Sequence, residues 1–234
     1  MNFVLIHGAW HGGWCWRHVL PLLRAAGHEA HAPSLTGLGD RAHLARRDIN
    51  LDTHVEDVVG LIEAEELNDV VLVGHSYAGM VITGAADRIP GRIARLVFFD
   101  AFVPANGKSL VDYVDAGRAA HQREEGRATG TVGPMPAAAL GLTRPEDIAW
   151  AERRQVRHPI GTMTQPLALA NEAALSRIPK AFVNCHSATG TFEQFAAQIR
   201  GNPAWRYFDL VTGHDAMIID PAGTVKVLLA CAAP

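Results

Sequence analysis

The sequence contains few cysteines, and their scarcity excludes two kinds of protein. Only Cys15, Cys185 and Cys231 occur among 234 residues, an odd number that a closed disulfide framework would not leave. They are far apart in the chain and lack the close spacing of zinc ligands. We therefore expect free thiols and a reducing compartment.

The sequence also lacks a strong excess of one charge and any long apolar run. A formal net charge of -3 gives no electrostatic reason to expect a nucleic acid or an anionic membrane as partner. No apolar run approaches the roughly 20 residues of a transmembrane helix. The first predicted strand, Asn2–Ile6, begins too early to leave room for a signal peptide. We expect a soluble cytoplasmic protein.

What is present is an alternation of predicted strands and helices. The length of 234 residues suits one domain, and 48% hydrophobic and 19% charged residues are ordinary for a globular protein. Alternating strands and helices predict an α/β fold with a mostly parallel sheet covered on both faces. Within this pattern, Thr53 and Glu56 have the spacing of a capping box at a helix start.

The most informative stretch runs from Val70 to Met80. It begins with a valine-rich run typical of a buried strand and continues as Gly74-His75-Ser76-Tyr77-Ala78-Gly79. Gly-x-Ser-x-Gly between a strand and a helix is the signature of a sharp turn that exposes a serine nucleophile. We therefore predict Ser76 as the catalytic nucleophile.

A serine hydroxyl needs a base that removes its proton, so a histidine must lie nearby. The chain has 12 histidines, and position selects among them. His214 follows the last predicted strand, where the histidine of a serine hydrolase of this type follows in chain order. His214 is the predicted base, and His75 is assigned a structural role.

The loop after the first strand, His7–Trp14, is rich in glycine. It contains neither Gly-Lys-Ser/Thr nor Gly-x-Gly-x-x-Gly, so a nucleotide site is disfavoured. His7 and His11 have no evident third ligand, and we expect no metal. Such a loop can instead direct a backbone N–H toward a developing oxyanion.

Residues 104–179 interrupt the alternation and predict an inserted lid, with residues 1–103 and 180–234 forming the core. Helical pieces are predicted at Pro145–Arg157 and Pro166–Leu175. The residues predicted to line a substrate pocket are Trp10, Tyr77, Phe102, Met135, Leu140, Trp150 and Met163.

Four segments carry a resemblance to a known family: Phe3–Trp14, Leu72–Met80, Asp100–Pro104 and Gly213–Asp215. The chain resembles α/β-hydrolases of the plant methyl esterase and hydroxynitrile lyase group and their bacterial esterase relatives. The resemblance covers nearly the whole chain and implies the α/β-hydrolase fold, no cofactor, and a small-molecule ester as partner. It also implies that the backbone N–H groups of Ala9 and Tyr77 form the oxyanion hole.

The resemblance separates two reactions that this scaffold supports. The lyases of the group carry threonine where this chain has Gly8, and a lysine after the histidine where it has Asp215. That lysine provides positive charge for a leaving cyanide, so its replacement by an acid argues against cyanohydrin cleavage.

The acid of the predicted triad is the open question at this point. Plant relatives place it after the strand that corresponds to Lys180–Cys185, but the loop there has no carboxylate before Glu193. Asp100 lies at the carboxyl end of the predicted strand that follows the Ser76 turn and its helix. In this position the chain resembles other α/β-hydrolases, the haloalkane dehalogenases among them, that carry their acid at this strand end. We favour Asp100 on this basis, and a Ser-His dyad completed by water or a hydroxyl stays as the alternative. The other acids considered are Glu193, Asp209, Asp215 and Asp220.

The function predicted is therefore that of a carboxylesterase acting on small, fairly apolar or aromatic esters through an acyl-enzyme. Two alternatives stay open: hydrolysis of methyl carbamates or amides by the same mechanism, and a ligand-binding protein on a hydrolase scaffold. The Gly-x-Ser-x-Gly turn argues against a protein that only binds a ligand, because binding alone does not require a serine held in a strained turn. The sequence does not determine the acyl and alcohol groups of the substrate. It also does not determine the oligomeric state, for which a homodimer is one alternative.

Overall fold

A computed structural model describes residues 1–187 and 190–233 of the chain. Ala188 and Thr189, which follow the strand after which the resemblance places the acid, lie outside the described residues. The strands are β1 (Asn2–Ile6), β2 (Glu29–His31), β3 (Val70–His75), β4 (Ile93–Phe99), β5 (Thr131–Val132), β6 (His158–Pro159), β7 (Lys180–Asn184) and β8 (Trp205–Asp209). Six of them form one sheet in the order β2-β1-β3-β4-β7-β8, and every pairing in it is parallel.

Helices cover both faces of this sheet. They are α1 (Leu20–Ala25), α2 (Leu51–Ala64), α3 (Ala78–Arg88), α4 (Ala116–Thr129), α5 (Pro145–Glu152), α6 (Gly161–Thr164), α7 (Glu172–Arg177), α8 (Glu193–Ile199), α9 (Ala216–Ile219) and α10 (Pro221–Ala232). The predicted α/β fold with a mostly parallel sheet is therefore correct.

Alternate side chains of each central strand enter two separate cores. In β3, Val70 and Leu72 pack into the core that contains residues of α2 and α3, whereas Val71 and Val73 pack into the core on the other face, with residues of α1 and α10. All four valine and leucine side chains are buried. A strand buried on both faces needs a continuous apolar run, and this is why β3 contains almost only valine and leucine.

The predicted start of α2 is wrong. Thr53 and Glu56 do not form the capping box. Asn50 is the N-cap, and its side chain accepts a hydrogen bond from the Thr53 N–H. In return, the Thr53 hydroxyl oxygen accepts a hydrogen bond from the Asn50 N–H. The helix therefore begins at Leu51. Asparagine and threonine both serve as caps, so the motif alone did not fix the position.

Residues 104–179 lie between β4 and β7 and hold α4 to α7 together with a small antiparallel pair, β5 and β6. Two helix predictions here were partly wrong: α5 ends at Glu152 rather than Arg157, and α7 spans Glu172–Arg177 rather than Pro166–Leu175. Gln165, before Pro166, has an extended backbone (ψ 126°), as the residue before a proline usually does.

Among the described residues, no helix combines the length and the apolar character needed to cross a membrane.

Candidate active site

Ser76 lies in the turn between β3 and α3 with φ at 56°, a left-handed conformation that costs free energy for any residue except glycine. Two neighbouring glycines make the turn possible. A Cβ on Gly79 would lie 1.9 Å from the Phe102 carbonyl oxygen, and one on Gly74 would lie 2.7 Å from the Ala78 carbonyl oxygen. The backbone is too closely packed for side chains at these positions, so the sequence pattern follows from the geometry of the turn.

His214 lies in the loop between β8 and α9, and its Nδ1 is 2.6 Å from Oδ2 of Asp100. Asp100 immediately follows β4 at φ 44°. Its other carboxylate oxygen accepts a 3.3 Å hydrogen bond from the Cys185 N–H. Both side chains are buried, so the carboxylate has a fixed orientation and holds the imidazole with Nδ1 protonated.

The other acids considered as partners of His214 bond elsewhere. Asp215 pairs with His11, Asp220 caps α10 through the Gly223 N–H, and Asp209 accepts hydrogen bonds from His186 and Tyr207. Glu193 accepts a 3.4 Å hydrogen bond from the Asn184 amide. Of these carboxylates, only Asp100 is hydrogen-bonded to the His214 ring.

Two backbone N–H groups beside Ser76 make no hydrogen bond within the described part of the chain. They belong to Ala9, in the loop after β1, and to Tyr77, which precedes α3. The N–H of Trp10, next to Ala9, does have an acceptor: Nδ1 of His158, at 3.3 Å. Trp10 has φ at 66°, and this bond from β6 fixes the loop in that conformation. Ala9 and Tyr77 both line the cavity that contains Ser76.

Ser76 and His214 both line that cavity. Of the residues predicted to line a pocket, six lie here: Trp10, Tyr77, Phe102, Met135, Leu140 and Met163. Trp150 does not line this cavity. Its ring packs edge-on against Trp14 at 5.0 Å and lies under the Arg154 guanidinium at 4.6 Å, so it joins α5 to the loop after β1.

Sequence reasoning missed five further residues of the cavity wall: Leu110, Arg118, Gln122, Thr191 and Phe192. Phe192 stacks on the His214 ring, with centroids 5.0 Å apart. Arg118 and Gln122 are four residues apart in α4, so their side chains share one face of that helix. This spacing was the available signal, but α4 has few apolar residues to indicate which face is buried.

Asp215 is fully buried beside the predicted base and forms an ion pair with His11, whose Nε2 lies 3.0 Å from Oδ2. Burial opposes charge on both groups, but their mutual attraction outweighs it and raises the pKa of His11 while lowering the pKa of Asp215. His75 completes the arrangement, since its Nε2 donates a 3.1 Å hydrogen bond to the His214 carbonyl. Burial and the neighbouring His214 hold the pKa of His75 well below its ordinary value.

Potential metal ligands meet at one place in the described ranges: His75, His214 and Asp215 offer atoms within 4.8 Å of one another. His75 Nε2 is bonded to the His214 carbonyl, and Asp215 Oδ2 is bonded to His11. His214 Nδ1 is bonded to Asp100, so all three side chains belong to the hydrogen-bond network around His214. The absence of a metal stays a prediction.

Comparison with known proteins agrees with the resemblance. Residues 3–227 match the model of the alpha/beta hydrolase family. A carbendazim hydrolyzing esterase of Nocardioides sp. (strain SG-4G) is 40% identical, covering 98% of each chain. Methylesterase 2 of Arabidopsis thaliana is 40% identical over 44% of this chain and 40% of its own length. An extracellular alpha/beta-hydrolase from a Paenibacillus species has the same fold, with a TM-score of 0.87 at 22% identity over 99% of this chain and 98% of its own.

Proposed function

Because this chain belongs to the alpha/beta hydrolase family, we propose that it is a serine carboxylesterase that cleaves small, fairly apolar or aromatic esters through an acyl-enzyme. The observation that carries the proposal is the buried 2.6 Å hydrogen bond between Asp100 and His214, in a cavity that Ser76 also lines. A nucleophile, a base and a group that orients the base are the parts that acyl transfer requires.

In the proposed reaction, the Ser76 oxygen forms a bond to the ester carbonyl carbon while His214 Nε2 takes the serine proton. Asp100 stabilises the resulting imidazolium by accepting a hydrogen bond from its Nδ1–H. The N–H groups of Ala9 and Tyr77 donate hydrogen bonds to the oxyanion, and neither has a competing acceptor among the described residues.

Collapse of the tetrahedral intermediate breaks the bond to the alcohol, which leaves with the proton from His214. A water molecule then gives a proton to His214 and attacks the acyl carbon. The bond between that carbon and the Ser76 oxygen breaks, His214 returns the proton to Ser76, and the acid is released. Every proton passes through His214, so no cofactor is needed.

The segment of residues 104–179 is proposed to act as a lid that shapes the substrate site. Six residues of the cavity wall come from it: Leu110, Arg118, Gln122, Met135, Leu140 and Met163. The remaining wall comes from loops that follow strands of the core. The chemistry therefore belongs to the core, and the choice of substrate belongs largely to the insertion.

Methyl carbamates are the second substrate class that we propose. The relative that matches over the whole chain is a carbendazim hydrolyzing esterase, and the same acyl transfer applies to a carbamate carbonyl. Comparing kcat/KM for carbendazim with kcat/KM for a panel of methyl, ethyl and aryl esters would establish which class is preferred.

Cyanohydrin cleavage has little support from the site. The residue after His214 is the buried Asp215, which is bound to His11 rather than directed at a leaving group. A side chain on Gly8 would place its Cβ 2.8 Å from His75 Nδ1 and 2.9 Å from Ser76 Cβ, so the threonine of the lyases would not fit here.

We propose further that the protein works in a reducing compartment, the cytoplasm. Its three cysteines are all free and buried, and burial raises the pKa of the Cys15 and Cys185 thiols, which makes them unreactive. The partner that this function requires is a small-molecule ester or carbamate.

An activity-based fluorophosphonate probe tests the proposed mechanism. We expect wild-type protein to be labelled, Ser76→Ala to be unlabelled, and Ser176→Ala, which removes an exposed serine of α7, to be labelled like wild type. A ligand-binding protein without catalysis would leave folded wild type unlabelled. Labelling that persists in Ser76→Ala would assign the nucleophile to another residue.

A further inference from the structure

Gln122 presents an unusual polar group to the candidate active-site cavity. Its side chain is 3% exposed and forms part of the cavity wall. The carbonyl oxygen Oε1 is buried and has no hydrogen-bond partner within residues 1–187 and 190–233. Leaving a buried acceptor without a donor is unfavourable, so its retention here suits a group that receives its donor from a bound molecule.

Arg118, one helical turn earlier in α4, brings a positive charge to the same wall. In the described part of the chain, the only hydrogen bond from its guanidinium goes to the Met135 sulfur, at 3.8 Å. Burial lowers the pKa of Arg118, and Asp115 opposes this effect in part without forming an ion pair with it. A guanidinium keeps its charge in proteins and has five N–H donors, so most of its donor capacity is available.

A second cavity adjoins the first and shares four wall residues with it: Trp10, Arg118, Gln122 and Met135. Its other walls include Val132, Gly133 and Pro134. The two polar side chains therefore stand at the junction of the two cavities, where a substrate with its carbonyl at Ser76 would extend. The rest of the first cavity is mostly apolar, which makes this pair its distinguishing polar feature.

We propose that Arg118 and Gln122 form a specificity subsite for the acyl group of the substrate, and that they select esters and carbamates whose acyl group carries an adjacent hydrogen-bond donor and acceptor. A heteroaromatic ring with an N–H next to a ring nitrogen, or an amide edge, has this chemistry. Gln122 Oε1 accepts from the N–H, and the Arg118 guanidinium donates to the acceptor. The inference rests on the proposed function and names the substrate class for the same site.

A carboxylate on the substrate would satisfy only half of this subsite. It would pair with Arg118, but it has no donor for the Gln122 oxygen, and two acceptors would then face each other. A purely apolar acyl group would satisfy neither side chain. The donor-acceptor edge is the one chemistry that pairs with both.

Three methyl esters of similar size test the proposal: methyl 1H-indazole-3-carboxylate, its 1-methyl derivative, and methyl 2-naphthoate. The first has both the donor and the acceptor, the second has lost the donor, and the third has neither. For wild-type protein we expect kcat/KM to fall about tenfold when the donor is lost and by more when both groups are absent, since each hydrogen bond in such a site is worth about a factor of 2 to 10 or more.

Two nearly isosteric variants, Gln122→Met and Arg118→Met, should remove this preference, so that the ratio of kcat/KM for the first ester to kcat/KM for methyl 2-naphthoate falls by about tenfold or more. The loss should appear in KM more than in kcat, because the subsite binds the acyl group away from the reacting bond. Arg123→Met is the matched control, since Arg123 lies in the same helix, is exposed, and lines neither cavity.

The two proposals fail in different ways. If wild type hydrolyses all three esters with equal kcat/KM, or if Gln122→Met lowers all three in proportion, the subsite is refuted and the esterase is retained. If wild type hydrolyses no ester or carbamate of any kind and takes up no fluorophosphonate, the proposed function itself is refuted. If Arg123→Met caused the same selective loss of kcat/KM, the effect of Arg118→Met would come from the change in net charge, and the role of Arg118 in the subsite would be refuted.

Discussion

Three of the six non-glycine residues with positive φ in the described part of the chain lie at the candidate active site. Trp10, Ser76 and Asp100 all have positive φ, at 66°, 56° and 44°. Each follows a strand of the central sheet at its carboxyl end, the edge where α/β folds bind ligands. Such conformations cost about 1–3 kcal/mol each. Their concentration beside one cavity is consistent with strain that is retained because it positions the reacting groups.

The role of Asp100 gives a prediction for one residue. We expect Asp100→Asn to keep the fold, because asparagine accepts a left-handed backbone readily, and to lower kcat for ester hydrolysis by on the order of 10⁴. The amide can no longer orient His214 through its Nδ1–H or stabilise the imidazolium. Kinetics on an aryl ester, together with the thermal unfolding midpoint, measure both effects.

Asp209→Asn is the control, since it makes the same change on an exposed side chain at the end of β8. Its kcat should remain close to that of wild type. A loss of less than about tenfold for Asp100→Asn would favour the dyad alternative, in which water or a hydroxyl assists His214.

The sequence alone was sufficient to nominate Ser76, His214 and Asp100, because each follows a recognisable strand. It was not sufficient for Trp150. A tryptophan in an irregular insertion has no periodicity to indicate its direction, and its contacts with Trp14 and Arg154 depend on how α5 docks. Arg118 and Gln122 were not predicted as pocket residues for a similar reason, since the sequence of a polar helix does not indicate which face is buried.

At the scale of elements, the turn from β3 into α3 depends on close approach of two backbone segments. Gly79, in the first turn of α3, faces the Phe102 carbonyl oxygen, 1.9 Å from where a Cβ would lie. We expect Gly79→Ala to lower the free energy of unfolding by more than about 4 kcal/mol, because a backbone atom cannot move aside as a flexible side chain can. Denaturant unfolding measures this change.

Gly60→Ala is the matched control, since Gly60 lies inside α2 and a Cβ there would meet nothing within 4 Å. Alanine in a helix interior should raise stability by up to about 1 kcal/mol. If Gly79→Ala were as stable as wild type, the close contact between the turn at Ser76 and the loop after β4 would be refuted.

The elements of the core were easier to predict than those of the insertion. β1 and β7 agree with the predicted strands Asn2–Ile6 and Lys180–Cys185 to within one residue, because buried strands have continuous apolar runs. In residues 104–179 three of the four helices have eight residues or fewer. Helices this short have too few turns for periodicity to fix their ends, and Pro166–Leu175 was predicted helical although the helix spans Glu172–Arg177.

For the whole molecule, buried neutral histidines determine how stability responds to acid. His7 accepts a hydrogen bond from the Leu35 N–H on one ring nitrogen, His158 accepts one from the Trp10 N–H, and His54 accepts one from the Tyr77 hydroxyl. Protonation would break each bond and bury a charge. Burial accordingly lowers the pKa of His7 to about 3, that of His54 to about 4, and those of His75 and His158 well below the ordinary value.

The sign follows from which state binds the proton. Between pH 6.5, the ordinary pKa of histidine, and about pH 4, these histidines are protonated in the unfolded chain but not in the folded protein. Stability is therefore full above pH 6.5 and falls as the pH drops, by up to about 1.4 kcal/mol per pH unit for each histidine. His11 acts in the opposite direction, because its raised pKa favours folding at low pH, but it is one group against four.

We expect the free energy of unfolding to decrease steeply from pH 6.5 to pH 4.5, as measured by urea denaturation across this range. His54→Asn keeps an acceptor near the Tyr77 hydroxyl and removes one titrating ring, so its slope should be shallower by about 1.4 kcal/mol per pH unit even if its stability at pH 8 is lower. His121→Asn, at an exposed position of α4, should leave the slope unchanged. Equal slopes for wild type and His54→Asn would mean that His54 is not held neutral in the folded state, because only a group that binds protons differently in the two states contributes to the slope.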